Sequence, residues 1–334
     1  MSDLETGPGA GASFRVKATL AFAAVYIIWG STYLAIRFAI ETLPTFTMSG
    51  VRFVLAGVIL LGWAGLRGAA MPTRAQWRSA ALLGCLLLLC GNGAVTWAEH
   101  RVPSGLAALL VGTEPLFVGL VLWAWPGGAR PRGRTTLALL IGFAGTAILA
   151  LGAGDPVQGS LHLPSVLAIL FACTTWAVGS VFGKDADLPS SPAVNSGAQM
   201  LLGGVFLLGF GILLGEPAKV DLAAFSGKSL MALAYLIVFG SLIAFSAYGW
   251  LIRNIKPTLV ATYAYVNPLV AMFLGTLLAD EPFGISTLVA TGLILLAVLL
   301  VSTDRGRRAS QRREEREIET DGPADPEASL RRCA

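Results

Sequence analysis

Apolar residues run along this chain in blocks rather than in stripes. Ten blocks stand at about 18–39, 45–66, 79–98, 104–125, 135–152, 163–184, 194–215, 229–250, 257–278 and 284–302. A helix rises about 1.5 Å per residue, so each block can cross the ~30 Å of hydrocarbon in a bilayer. The connections are too short to hide a soluble catalytic domain. The pattern predicts an all-α membrane protein: a flexible N-terminus at 1–17, five spans within 18–152, five within 163–302 and a charged tail at 303–334. The first block is full span length with no cleavage site behind a short core, so it reads as a retained helix.

The two sets of five are copies. A shift of 147 positions superposes Trp29 on Trp176, Arg37 on Lys184, Ser49-Gly50 on Ser196-Gly197, Gly57-Val58 on Gly204-Val205 and Leu60-Leu61-Gly62 on Leu207-Leu208-Gly209. A shift of 153 brings Trp97 onto Trp250, Ala108 onto Ala261 and Pro115-Leu116 onto Pro268-Leu269. Five is odd, so the second copy enters the bilayer from the opposite side. Inverted repeats of this kind characterise alternating-access carriers.

Composition agrees with the blocks. The chain is 55% hydrophobic and 13% charged, with mean hydropathy +0.70. Its basic residues follow the positive-inside pattern: Arg67, Arg74 and Arg78 lie after the second span, Arg130, Arg132 and Arg134 after the fourth, Arg253 and Lys256 after the eighth. The opposite loops carry Glu41, Glu99-His100-Arg101, Asp155, Glu216 to Lys228 and Asp280-Glu281. Both termini are therefore expected in the cytoplasm of a cell with an inner membrane. One loop, with Lys184, Asp185 and Asp187, shows no positive excess. The pI near 9.0 reflects this topology signal and the tail RGRRASQRREERE beside anionic lipid, not a nucleic-acid partner. The partners expected are the bilayer and a small-molecule substrate; a dimer would be compatible, though nothing in the sequence supports one.

Catalytic machinery is missing. There is no HExxH, P-loop or GxSxG, and only two histidines, so no enzyme is expected and no catalytic or metal-binding residue is assigned. Cys85, Cys90, Cys173 and Cys333 have no metal-ligand spacing and read as small apolar fillers. The stripe Ala138, Gly142, Thr146, Ala150 reads as helix packing. Glu99-His100-Arg101 reads as a solvated turn.

Against that background LVGTEPLFVG, residues 110–119, stands out. Glu114 lies halfway through the fourth span, and Asn267, just before Pro268, halfway through the ninth. Each proline frees the carbonyl four residues earlier, that of Val111 for Pro115 and of Ala264 for Pro268, and opens a polar spot at mid-depth. Ionisable groups there are expensive and mark solute or proton paths. Arg52 lies about seven residues, or ~10 Å, inside the second span. It could neutralise Glu114 and lock two helices, or hold a substrate carboxylate. If Glu114 is unpaired, desolvation lets it shuttle a proton. The repeat mate of Arg52 is the uncharged Gln199. Asn92, Tyr33, Tyr263 and Tyr265 are further candidates for the substrate or proton path, while Trp97, Tyr248 and Trp250 rank lower because aromatics near span ends anchor at the interface.

Four segments carry a family resemblance: IIWGSTYLAIRFAIETLP (27–44) with SGVRFVLAGVILL (49–61), GLAALLVGTEPLFVGLV (105–121) and YAYVNPLVAMFLGTLLADEPF (263–283). Together they resemble the drug/metabolite transporter superfamily, in particular its EamA-type members with two five-helix repeats, over nearly all of 18–302. The first segment is most similar to a subgroup of inner-membrane drug or metabolite exporters. Asp280-Glu281-Pro282 stands where many members have Gly-Glu-Pro. The resemblance implies a secondary carrier with no cofactor beyond an ion gradient. The alternatives are nutrient uptake on the same scaffold and a non-transporting membrane sensor or scaffold using its Arg-rich tail.

Overall fold

The computed structural model describes residues 12–126, 133–151, 162–219, 221–255, 260, 263–281 and 284–300. The charged tail, Cys333, Asp155, Lys256, Pro282 and the side chains of Tyr265 and Arg253 lie outside the described residues.

Ten long helices occupy the described residues: α1 (Phe14–Ala39), α2 (Thr45–Leu66), α3 (Arg74–Ala98), α4 (Ser104–Ala124), α5 (Gly133–Leu151), α6 (Leu163–Phe182), α7 (Pro192–Leu213), α8 (Gly227–Leu251), α9 (Tyr263–Ala279) and α10 (Ile285–Leu300). Seven are long and apolar enough to cross a membrane, and α5, α9 and α10 supply shorter apolar helices. Outward faces carry large apolar side chains such as Leu66, Leu213, Met231 and Phe273, as a lipid-facing surface requires.

α3 begins five residues before its apolar block. Thr73 and Gln76 form a capping box, each side chain bonding the other's backbone N–H, so the polar first turn Arg74 to Arg78 is already helical. Hydropathy alone misses such a turn.

The halves are interleaved. α2 lies along α7 and α4 along α9; α1 packs on α8 and α9, while its repeat mate α6 packs on α3 and α4. These contacts thus have their counterparts with the halves exchanged. The α2–α7 seam is the tightest. A β-carbon at Gly50 would lie 2.9 Å from the Gly204 carbonyl, and one at Gly57 would lie 2.8 Å from the Gly197 carbonyl. Going up α2 from 50 to 57 means going down α7 from 204 to 197, so these mates run antiparallel. In lipid, where apolar burial gives helices little reason to associate, such backbone-to-backbone approach is what holds them.

Gly142 sits against Leu116 and Gly145 against Ile294, so α5 is clasped between α4 and α10. Among its small residues Ala138 and Thr146 are buried, as a packing stripe predicts; the side chain of Ala150 lies outside the described residues.

Candidate functional site

The helices near the middle of the bundle depart from a plain α-helix in three ways. α4 is interrupted at Gly112-Thr113, and Glu114 and Pro115 open its second segment. α9 carries Pro268 within its length. α1, α3 and α8 widen to π-helical turns at Ala24–Trp29, Gly84–Asn92 and Leu236–Ile243. The last two fall at nearly equivalent positions of the two repeats. π-turns leave backbone carbonyls without their usual i+4 donor and are frequent at functional sites.

The prolines bring these breaks together. A β-carbon at Gly112 would lie 3.1 Å from Cγ of Pro268, so the interruption in α4 touches the proline of α9. The Thr113 hydroxyl donates to the Leu110 carbonyl at 2.6 Å, and the Cys173 thiol of α6 approaches the Leu110 and Val111 carbonyls at 3.8 and 4.0 Å. Cys173 is therefore more than an apolar filler: it faces the carbonyl that Pro115 sets free. The amide of Asn267 is oriented to donate to the carbonyls of Tyr26 and Tyr263, each at 3.3 Å.

Aromatic rings line the same region. Trp29 packs on Phe245, Tyr248 and Tyr263 at ring distances of 5.3, 5.1 and 5.5 Å, and Tyr248 meets Tyr263 edge-on at 5.9 Å. Trp29 Nε1 donates to the Gly240 carbonyl in the π-turn of α8. Half-buried Glu114 lies within electrostatic reach of Tyr33, Cys173, Tyr248 and Tyr263, which groups one carboxylate with three phenols and a thiol. Trp29 is marked in the sequence only as a repeat position, and its place at the centre of this cluster depends on α8 and α9. Trp97, 40% exposed, faces outward, and Trp250 meets Phe14 at a tilt near the start of α1.

Arg52 is buried. Its Nε donates to Ser241 Oγ of α8 at 2.9 Å, its guanidinium lies over Phe53, and a β-carbon at Gly240 would come within 3.1 Å of its Nη2. Gln199 donates to Asn195 one turn earlier in α7, and the carbonyl of Asn92 accepts from Thr96, so these two candidates make local bonds.

A second polar layer closes one end of the bundle. Lys228 pairs with Glu41 at 2.6 Å, Arg37 with Glu281 at 3.1 Å, and Thr45 bonds His100 at 2.7 Å. Glu216 accepts from the backbone of Phe46 and Thr47 at the start of α2, and Glu281 from that of Ser104 and Gly105 at the start of α4. Gly215-Glu216 and Asp280-Glu281 are the same device: a residue with positive φ (71° and 49°), then a glutamate reaching from a second-half helix to cap a first-half one. Glu41, His100, Glu216, Lys228 and Glu281 come from segments whose charge pattern predicts a shared side, while Arg37 and Thr45 are contributed by the adjoining ends of α1 and α2.

The structure corrects one expectation. Glu99 is not part of a solvated turn: it is 3% exposed, and neither carboxylate oxygen has a hydrogen-bond partner among the described residues, although His100 and Arg101 beside it are exposed. Burial raises its carboxyl well above the usual carboxylate range, the Glu281 charge adds to the rise, and Arg37 and Arg52 oppose it. Burial lowers His100, with Glu216 opposing and Arg101 adding. The charged neighbours of Glu99 in sequence conceal this burial, which depends on α1, α2 and the turn after α9.

The comparisons with known proteins fit this architecture. The EamA-like transporter family matches residues 16–151 and 163–303, one stretch for each half. The inner membrane transporter YedA of Escherichia coli (strain K12) is 43% identical over 280 residues, covering 84% of this chain and 88% of that one. A WAT1-related chloroplastic protein of Arabidopsis thaliana is 25% identical over 285 residues, 84% of this chain and 68% of its own. The transporter YvbV of Bacillus subtilis (strain 168) is 25% identical over 291 residues, 86% and 92%. One solved crystal structure superposes with TM-score 0.59 at 20% identity, over 85% of this chain and 96% of its own, a likeness of fold. Matched in both halves and built of apolar helices, the chain belongs to the EamA-like transporter family and is a membrane transporter, not an enzyme.

Proposed function

We propose that this chain is a secondary carrier that exports small organic metabolites or drug-like compounds across a bacterial-type inner membrane. It works by alternating access of two inverted five-helix halves, with both termini cytoplasmic and a proton moving in exchange through Glu114. The observation that carries the reading is the meeting of α4, interrupted before its repeated proline, with α9, which carries the matching proline inside its length, beside one carboxylate and a wall of four aromatic rings. Broken helices at mid-depth present unpaired backbone dipoles to a solute, and aromatic faces suit ring-containing or amphipathic compounds. The antiparallel seam of α2 and α7 supports the inverted relation, and the name of YedA supports the inner membrane.

The test compares the metabolites of medium and cells between a deletion strain and one overexpressing the protein. Export predicts a compound that rises in the medium with expression and inside the cells on deletion. A solute that disappears from the medium only when the protein is present would reverse the direction.

A further inference from the structure

We propose that Glu99 is a proton-binding group of this carrier, neutral while the end of the bundle held by Arg37 and Glu281 is closed and ionised when that end opens. The proposal rests on the carrier reading and adds a carboxylate distinct from Glu114, at the gate rather than at mid-depth.

Geometry leads to it. Two carboxylates, Glu99 and Glu281, lie near one half-exposed cation, Arg37. Glu281 holds that cation at 3.1 Å and also accepts two backbone N–H groups, at 2.7 and 2.9 Å. Three donors stabilise its charge. Glu99, equally buried, has no such donor among the described residues, and like charges in one dry site are not both kept. Every element packed around it points the same way. α1 offers Arg37 and Tyr33, α2 offers Arg52, already bonded to Ser241, and the turn after α9 offers Glu281. The α3–α4 turn adds exposed His100 and Arg101, while α6, packed on α3, has Cys173 and no charged residue.

The coupling follows from the chain path. Glu99 stands on the turn between α3 and α4, and the start of α4, which packs on α1, is also tied to it through the polar relay Arg37–Glu281–Ser104. A crevice between Pro103, Leu106, Met272 and Thr276 already reaches Glu281. Parting α1 from this turn breaks the relay and admits water. The O–H bond of the Glu99 acid then breaks, its proton passes to that water, and the carboxylate left behind meets the released Arg37. Closing the end reverses each step.

The test uses the full-length protein in lipid nanodiscs. Infrared difference spectra across a pH titration should show a protonated carboxyl at neutral pH that is absent in Glu99→Gln. The sign for stability follows from linkage: with its folded-state affinity for the proton raised, Glu99 favours the native state at low pH and loses that contribution as pH rises through its folded pKa. Thermal stability of the wild type should therefore fall with rising pH more steeply than that of Glu99→Gln. Glu281→Gln, which unties the relay and frees Arg37, should shift loss of the band to lower pH. An unchanged band in Glu99→Gln, parallel stability profiles, or no shift in Glu281→Gln would each overturn the proposal. None of these readouts needs a solute. Should a solute be moved while the band persists in Glu99→Gln, only the proposal falls; should Glu99 prove protonated and no solute be moved, only the carrier reading does.

Discussion

Asp280 and Gly215 occupy equivalent turns, yet only glycine takes a positive φ without steric penalty. Asp280 is exposed and its side chain makes no hydrogen bond or ion pair among the described residues, so Asp280→Gly should stabilise the protein by about 1 kcal/mol, read as a raised unfolding temperature in detergent; no rise would mean that the aspartate side chain holds the turn. At Glu114 the expectation concerns rate. Glu114→Gln should abolish the pH dependence of transport, and retained transport with an unchanged pH profile would remove proton exchange through this group. Glu114 was legible in the sequence because a carboxylate beside a proline inside an apolar block has no ordinary explanation. Glu99 was not: its neighbours in sequence are charged, and the residues that bury it come from helices tens to hundreds of positions away.

Helix positions could be read closely from the blocks because bilayer thickness sets their length. The π-turns of α1, α3 and α8 could not, since a widened turn has no compositional mark. The α2–α7 seam was visible as paired Ser-Gly and Gly-Val positions, without any indication that the glycines face each other. A side chain at Gly57 has no room: its β-carbon would stand 2.5 Å from the Leu201 nitrogen, and backbone cannot give way as a flexible side chain can. Gly57→Val should destabilise the protein by about 3 kcal/mol or prevent its insertion in folded form. Gly62→Val on the same helix, where a β-carbon meets nothing within 4 Å, should be tolerated. Measuring expression and monodispersity of the pair in detergent separates loss of the seam from a general intolerance of valine.

Across the whole molecule, the polar layer at one end ties the first half to the second, through Glu216 and Glu281 capping first-half helices and Lys228 of α8 pairing with Glu41. The sequence placed these loops on a common side by charge but offered no pairing among them. Glu281→Ala removes a helix cap and strands Arg37, so it should lower stability by about 2 kcal/mol or more. It should also raise labelling of a cysteine placed at Ser104 by a membrane-impermeant reagent; unchanged labelling would mean the end is held shut elsewhere. The glycine seam is also self-complementary. Gly50 and Gly57 present to the second half the same pair of notches that Gly197 and Gly204 present to the first. A surface that fits its own copy about a two-fold axis is the interface of a homodimer. The seam thus has, within one polypeptide, the geometry of a contact between two copies of one five-helix unit.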